Sequence, residues 1–256
     1  MSGFNPMPNP KLVGKDAVYQ AYISMGDTAE NLAQKYQITR AEQDAFAAES
    51  QKRAAAAQAA GKFKDEIVPV EAEGKMLDTD GTIRADTTAE VLAGLKPVFN
   101  EKGSVTAGTS SPLTDGASAT LVCSEEYAAK HGLNVLARVK SIAVAGCAPE
   151  IMGIGPVAAT QKALARAGLK LDQIDIIELN EAFASQSLAC VKDLGIDLSK
   201  TNIDGGAIAI GHPLGATGAR ITGKAAALLK REKKKYALAT QCIGGGQGIA
   251  TILEAV

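Results

Sequence analysis

Residues 205–220 read GGAIAIGHPLGATGAR, a glycine-rich turn bearing one histidine between an apolar run and a run with helical spacing. Ordering glycine costs backbone entropy, so a cluster of it marks chain that turns tightly or lies close to something else. His212 sits at that turn, where an imidazole can exchange a proton near neutral pH and bare amides can stabilise negative charge. The same residues would also make an ordinary strand-to-helix connection with an incidental histidine. Two other stretches bear on the choice. Asn180-Glu181-Ala182-Phe183 follows an apolar run at 174–179, and CIGGG at 242–246 follows an apolar run at 236–240. Each polar group is expected just past the end of a strand, where open α/β sheets collect their chemistry.

Working outward, hydrophobic periodicity places strands at 135–144, 174–179, 236–240 and 248–253, the last two an antiparallel pair around the glycine run. Between them fall helices at 156–167, opened by Pro156 and stopped by Gly168, at 181–194, closed by Gly195, and at 217–230. Phe183, Ser187, Cys190 and Leu194 share one face of the second helix, which makes Cys190 a core residue. This alternation predicts a mixed sheet covered by helices, an α/β fold. Upstream, Asp27 with Glu30 and Thr39 with Glu42 have capping-box spacing, the second opening a long alanine-rich helix that ends near Gly61. Such a helix suits packing over small contact areas or against another subunit. Residues 63–70 read as a short strand, 71–86 as a polar excursion and 88–95 as a short helix before Pro97. Residues 117–123 (ASATLVC) read as an apolar strand, followed by a helix from Ser124 to the His131-Gly132 stop. Residues 1–24 carry Pro6, Pro8 and Pro10 without periodicity and read as irregular chain.

The chain has 256 residues, 46% of them hydrophobic and 21% charged, with a net charge of −1. Neither a nucleic-acid binder nor a disordered segment has that composition. The basic run at 230–235 falls at a helix end, where cations complement the macrodipole and face solvent. Cys123, Cys147, Cys190 and Cys242 form no CxxC pair and no metal-ligand spacing, so neither zinc nor a disulfide framework is expected. The absence of a signal-like or membrane-length apolar stretch suggests the cytoplasm. Residues 218–224 fit the first seven positions of a phosphate-binding loop, but position eight is Ala225 and the match lies inside a helical pattern. Residues 244–248 give only a GxGxG fragment.

The NEAF segment, GHPLG after GGAIAIG and CIGGGQG near the C-terminus, in that order, resemble the C-terminal half of a thiolase. The wording of TAGTSSPLTDGAS and VAGCAPEIMGIGPV is most similar to the degradative 3-ketoacyl-CoA thiolases of fatty-acid β-oxidation, from about Met25 onward. The resemblance implies a transferase that cleaves 3-ketoacyl-CoA with coenzyme A as co-substrate and no metal. It also implies the C-terminal half of a five-layered αβαβα fold, usually assembled as dimers or tetramers. On it, residues 1–104 are a mostly helical loop (lid) domain, 105–132 the last strand and helix of an otherwise absent N-terminal domain, and 133–256 the C-terminal domain. Ser24 stands where biosynthetic members carry a histidine.

Thiolysis needs a thiolate, an acid/base for the departing enolate and donors at each oxyanion. Cys242 can be the acid/base, its thiol tuned by a neighbouring imidazole or amide dipoles. The Gly244 N–H can meet a thioester oxygen, and His212 can donate to the enolate oxygen and assist thiolate formation. The resemblance gives Asn180 the task of positioning a water, Arg84 a place near the coenzyme A nucleotide and Ser111 one near the pantetheine. Glu181 reads as a helix-start carboxylate orienting the histidine loop. The family's acyl-accepting cysteine lies in a glycine-flanked motif that no segment here resembles, and Cys123 and Cys147 are poor substitutes. The chain therefore reads as incomplete, acting with an N-terminal thiolase half. The alternative is a non-catalytic acyl-CoA-binding or assembly module; a ketoacyl synthase relative is disfavoured by the late cysteine motif.

Overall fold

The computed structural model describes residues 9–12 and 20–256. Most of the irregular leader expected over 1–24 lies outside the described residues. The centre is a four-stranded mixed sheet of β3 (Arg138–Gly146), β4 (Ile176–Leu179), β5 (Tyr236–Ile243) and β6 (Gln247–Glu254), in the order β3-β6-β5-β4. β5 and β6 form the expected antiparallel hairpin, β3 pairs antiparallel on its far side, and β4 runs parallel to β5. The side-chain period of two splits β5 cleanly. Leu238 joins Ile177, Leu179, Cys190 and Ile252 in one core, covered by α5 (Gly155–Ala167) and α6 (Ala184–Leu194). Ala237 and Ala239 point the other way, into a second core with Ile221, Leu228 and Leu229 of α8 (Leu214–Glu232). The sheet is thus covered by helices on both faces, the mixed α/β architecture that the apolar pattern predicts.

Both helix stops behave as glycine C-caps should, Gly168 and Gly195 taking left-handed backbone. Thr39 and Glu42 make the reciprocal capping box of α2 (Arg40–Ala59). For α1 (Met25–Lys35) the cap is Ser24, whose hydroxyl accepts from the Asp27 N–H, so the assignment to Asp27 is corrected by three residues. The alanine-rich α2 finds its neighbours inside this chain. Ala47, Ala54 and Ala57 are buried, and Ala54 fills the space beside Gly205.

Three strand expectations change. Residues 63–66 turn, with Phe63 buried under the Lys224 ammonium, and the strands there are instead the hairpin β1 (Val70–Ala72) and β2 (Lys75–Leu77). Residues 117–123 form no strand. Among the described residues their amides have no neighbouring strand to bond, and Leu121 and Val122 remain 73% and 75% exposed. The segment instead runs along α8, where Ser118 Oγ and Thr120 Oγ1 donate to the Ala216 and Ala219 carbonyls. The apolar run before His212 is a one-turn helix, α7 (Ala207–Ile210), and not a strand. The short helix at 88–95 is α3 (Ala89–Ala93), capped by Thr88, and Ser124 caps α4 (Glu125–Lys130).

Candidate active site

Asn180 is the first residue beyond β4, and its N–H donates to the Thr240 carbonyl of β5 at 3.0 Å. That bond sets Asn180 and Cys242 at the same end of two adjacent strands. Cys242 lies within β5, opposite Gly248 of β6, and not beyond the strand as the pattern suggested. Gly244 is in the β5–β6 turn, with open space where a side chain would stand. His212 reaches the same place from α7: its Nε2 is 3.3 Å from Asn180 Nδ2. Two of the three polar groups therefore touch. Among the described residues no hydrogen bond joins Cys242 to the imidazole.

The His212 ring is fixed on both sides. Nδ1 lies 2.6 Å from Thr217 Oγ1, one turn into α8, and that hydroxyl is 3.2 Å from the Pro213 carbonyl. With the hydroxyl donating to the carbonyl, its lone pairs face Nδ1, which carries the ring proton. Nε2 is then the acceptor, and Asn180 Nδ2 donates to it. The His212 N–H donates to Thr114 Oγ1, whose side chain occupies the space a Cβ on Gly211 would need. Gly211 also sits at φ +90, a backbone state that disfavours any L side chain.

Glu181 is buried behind this turn. Its carboxylate accepts from Ser50 Oγ, Asn202 Nδ2 and the Ile208 N–H, at 2.6, 2.7 and 3.2 Å. It therefore caps α7, the helix before His212, rather than α6 as its sequence position implied. Gly206 has no alternative, because the Glu181 carboxylate fills the position of its missing Cβ.

Burial, and then the positive charge of Arg220, holds the His212 imidazole below its ordinary range. At neutral pH the ring is uncharged, and the Nε2 lone pair that accepts from Asn180 Nδ2 is the one that can take a proton in exchange for that bond. Arg220→Met should move the His212 titration upward, as read by NMR of the ring protons; an unchanged or lower titration would remove Arg220 from this role. Burial pushes the Cys242 thiol up to about 12, which corrects the expectation of a thiol tuned into a neutral range. Cys242 holds its proton in this chain. Cys190 is fully buried and bonds the Gly153 carbonyl at 3.3 Å, a core position as its helix face predicted. Cys123 is exposed and Cys147 half-buried, the latter's thiol raised by burial and then by Glu150.

On the α8 side of the sheet, burial pushes the Glu178 carboxyl up to about 8 against the pull of Arg220 and Lys224. A folded-state value raised above the unfolded one makes stability fall as pH rises from about 4.5 to about 8. Glu178→Gln should flatten that decline, measured as urea midpoints at pH 4 and pH 8; parallel curves for the two proteins would refute it.

Arg84 lies exposed on a loop lining a cavity of about 290 Å³ with Gln51, Thr82, Ser110, Leu113 and Ile208. Ser111 is tied to the NEAF segment by its N–H on the Ala182 carbonyl at 3.0 Å. Ser111, Asn180, His212 and Cys242 do not line this cavity. The basic run at 230–235 is exposed throughout, at the end of α8 as its position implied. Arg231 clamps the buried Asp204 with two bonds, at 2.6 and 2.9 Å. Residues 218–224 are helical, as expected, and make no phosphate loop. Among the described residues no group of three or more His, Cys, Asp or Glu side chains could hold a metal ion, and no helix is long and apolar enough to cross a membrane.

The N-terminal domain of thiolases matches residues 9–126, and the C-terminal domain matches residues 133–255. The chain belongs to the thiolase family. The match begins at residue 9, upstream of Met25, from which the motifs themselves carry the resemblance. The chain is 56% identical over 246 residues to the 3-ketoacyl-CoA thiolase of Vibrio vulnificus, covering 93% of this chain and 64% of that one. It is 52% identical over 257 residues to the acetyl-CoA acetyltransferase of Pseudomonas aeruginosa, covering 96% and 65%. The crystal structure of human mitochondrial 3-ketoacyl-CoA thiolase in complex with CoA superposes with a TM-score of 0.87 at 47% identity, over 91% of this chain and 59% of that one. The acetyl-CoA acetyltransferase of Bacillus anthracis superposes at 0.89, also at 47% identity, over 91% and 60%. This thiolase chain thus spans about 64% of the length of the curated relatives it matches.

Thr114, Thr217, Ser50, Gln51 and Asn202 support the site and were not singled out from sequence. Thr217 lay inside the opening stretch, five residues after His212, and Ser50-Gln51 interrupts an alanine-rich helix. Those were the available signals.

Proposed function

We propose that this chain carries the acid–base and oxyanion part of a 3-ketoacyl-CoA thiolase, acting in fatty-acid β-oxidation. The observation that carries the reading is the Asn180–His212 pair at 3.3 Å at the sheet end that also bears Cys242. In the net reaction the C2–C3 bond of the 3-ketoacyl-CoA breaks, C3 gains the sulfur of coenzyme A, and C2 gains a proton to become acetyl-CoA. Cys242, whose thiol stays protonated, delivers the proton to C2. The neutral His212 takes the coenzyme A thiol proton at Nε2, the resulting N–H faces the enolate oxygen, and that proton then passes to the Cys242 thiolate left by protonation of C2, which restores both groups. Among the described residues Asn180 Oδ1 is buried without a partner, and it would hold a water against the same oxygen. The Gly244 N–H serves the thioester oxygen. Intermediate acyl transfer requires a cysteine of the glycine-flanked motif that these 256 residues do not contain.

We assign residues 1–104 to the lid, 105–132 to the edge of the N-terminal domain and 133–256 to the C-terminal domain. Leu113, Leu121, Val122, Ile142 and Val144 are exposed, and an N-terminal thiolase half would cover this apolar surface. Arg84 and Ser111 would contact the nucleotide and pantetheine of coenzyme A, and assembly would be as a homodimer or tetramer in the cytoplasm. Calorimetric titration with coenzyme A should show binding that Arg84→Ala weakens about tenfold through loss of one phosphate contact. Binding unaffected by Arg84→Ala would remove the nucleotide assignment.

A further inference from the structure

Gln51 is a buried amide on α2, and both ends of its planar group are used. Its Oε1 accepts from the Arg84 N–H at 2.8 Å, and its Nε2 donates to the Ile208 carbonyl at 3.2 Å. A second strap lies alongside, Thr82 Oγ1 donating to the Ala209 carbonyl at 2.8 Å. Ile208 and Ala209 belong to α7, which ends at Gly211 and delivers His212. Arg84 and Ile208 are far apart in sequence, and one rigid amide spans the gap between their main chains. Its neighbour Ser50 holds the other end of the same turn: it accepts from the Gly206 N–H at 3.1 Å and donates to Glu181. Gln51, Thr82, Arg84 and Ile208 also line one cavity.

We infer that Gln51 is a positioning residue that ties the loop carrying Arg84 to the turn carrying His212, fixing the separation between ligand recognition and proton transfer. The inference rests on the coenzyme A reading above. If Gln51 were only filling space in a helix contact, a side chain of similar length without an amide would serve as well. Loss of both hydrogen bonds instead frees the Arg84 loop while leaving the α2 packing in place.

The test uses the full chain, with coenzyme A and pantetheine as separate probes and amide hydrogen exchange as a ligand-free readout. Gln51→Met should weaken coenzyme A binding about tenfold and pantetheine binding less than about twofold. Exchange at the Arg84 amide and at the 211–212 amides should speed up together, by roughly tenfold. Thr82→Val, at a half-buried loop position, should move the same readouts in the same direction by less, and it covers the case in which Gln51→Met does not fold. Unchanged exchange in both variants, or equal losses for the two ligands, would overturn the inference. Joint acceleration of both segments in a chain that binds neither probe would support the coupling and defeat the coenzyme A reading.

Discussion

His212→Ala should slow thiolysis of 3-ketoacyl-CoA by the assembled enzyme about 10³-fold, within the usual range for removing a positioned acid–base group. The loss should fall on kcat more than on KM. On the proposed mechanism the imidazole acts on the reacting sulfur and the enolate oxygen rather than on the remote nucleotide. His212→Asn should recover little, because an amide can donate to the oxyanion but cannot take the thiol proton. Thr217→Val should act in the same direction more weakly: it removes the hydroxyl at 2.6 Å that keeps the ring proton on Nδ1. Steady-state kinetics of the three variants decide the matter. A His212→Ala enzyme within tenfold of the natural one would take the imidazole out of the mechanism.

The largest effect on stability is expected at Asp204, a buried carboxylate on which Lys62, Lys224 and Arg231 converge at 3.3, 2.7 and 2.6 Å. Burial alone would raise its titration, but the charged hydrogen bonds from Arg231 and Lys224 outweigh that and bring it down to about 2. Asp204→Ala leaves the nearly buried Lys224 with Glu66 alone. Removing one member of a buried charge cluster costs about 3–5 kcal/mol. Because the folded value is depressed, the stabilisation is present above the unfolded carboxylate range and lost as pH falls toward 2. Denaturant melts should therefore show a large gap between the two proteins at pH 7 that narrows at the acid end. A gap under about 1 kcal/mol at pH 7 would mean that solvent already screens the cluster.

Much of this was legible in the sequence, and the reason is local. The core strands are short apolar runs between glycine stops, and Gly168 and Gly195 end their helices as a left-handed cap requires. Asn180 and His212 could be paired because each stood beside a strand or turn signal, though in separate stretches of chain. What escaped was whatever depended on a neighbour. Residues 117–123 have strand composition, yet a strand exists only where another bonds it, and here none does. The AIAI run has an apolar pattern too short to tell strand from helix, and Glu181 beneath it, capping through the Ile208 N–H, made it helical. Glu181 was read as starting its own helix and orienting the histidine loop; it does bond that loop, through the Ile208 N–H, but it caps α7, since its partners Ser50 and Asn202 come from distant sequence. Cys242 was expected to be tuned into a useful range by a neighbouring imidazole or amide dipoles, whereas burial pushes its thiol up to about 12. Gln51 looked like one polar residue in a scaffold helix, and only the fold reveals that both its ends are engaged.

We propose that Asn180, His212 and Cys242 act on one thioester. This is tested most directly by measuring coenzyme A-dependent cleavage of a 3-ketoacyl-CoA in the protein complemented with the N-terminal half of a thiolase, with Cys242 intact and with Cys242→Ala. Turnover is expected in the first and a loss of at least about 10²-fold in the second. Equal turnover in the two would contradict it.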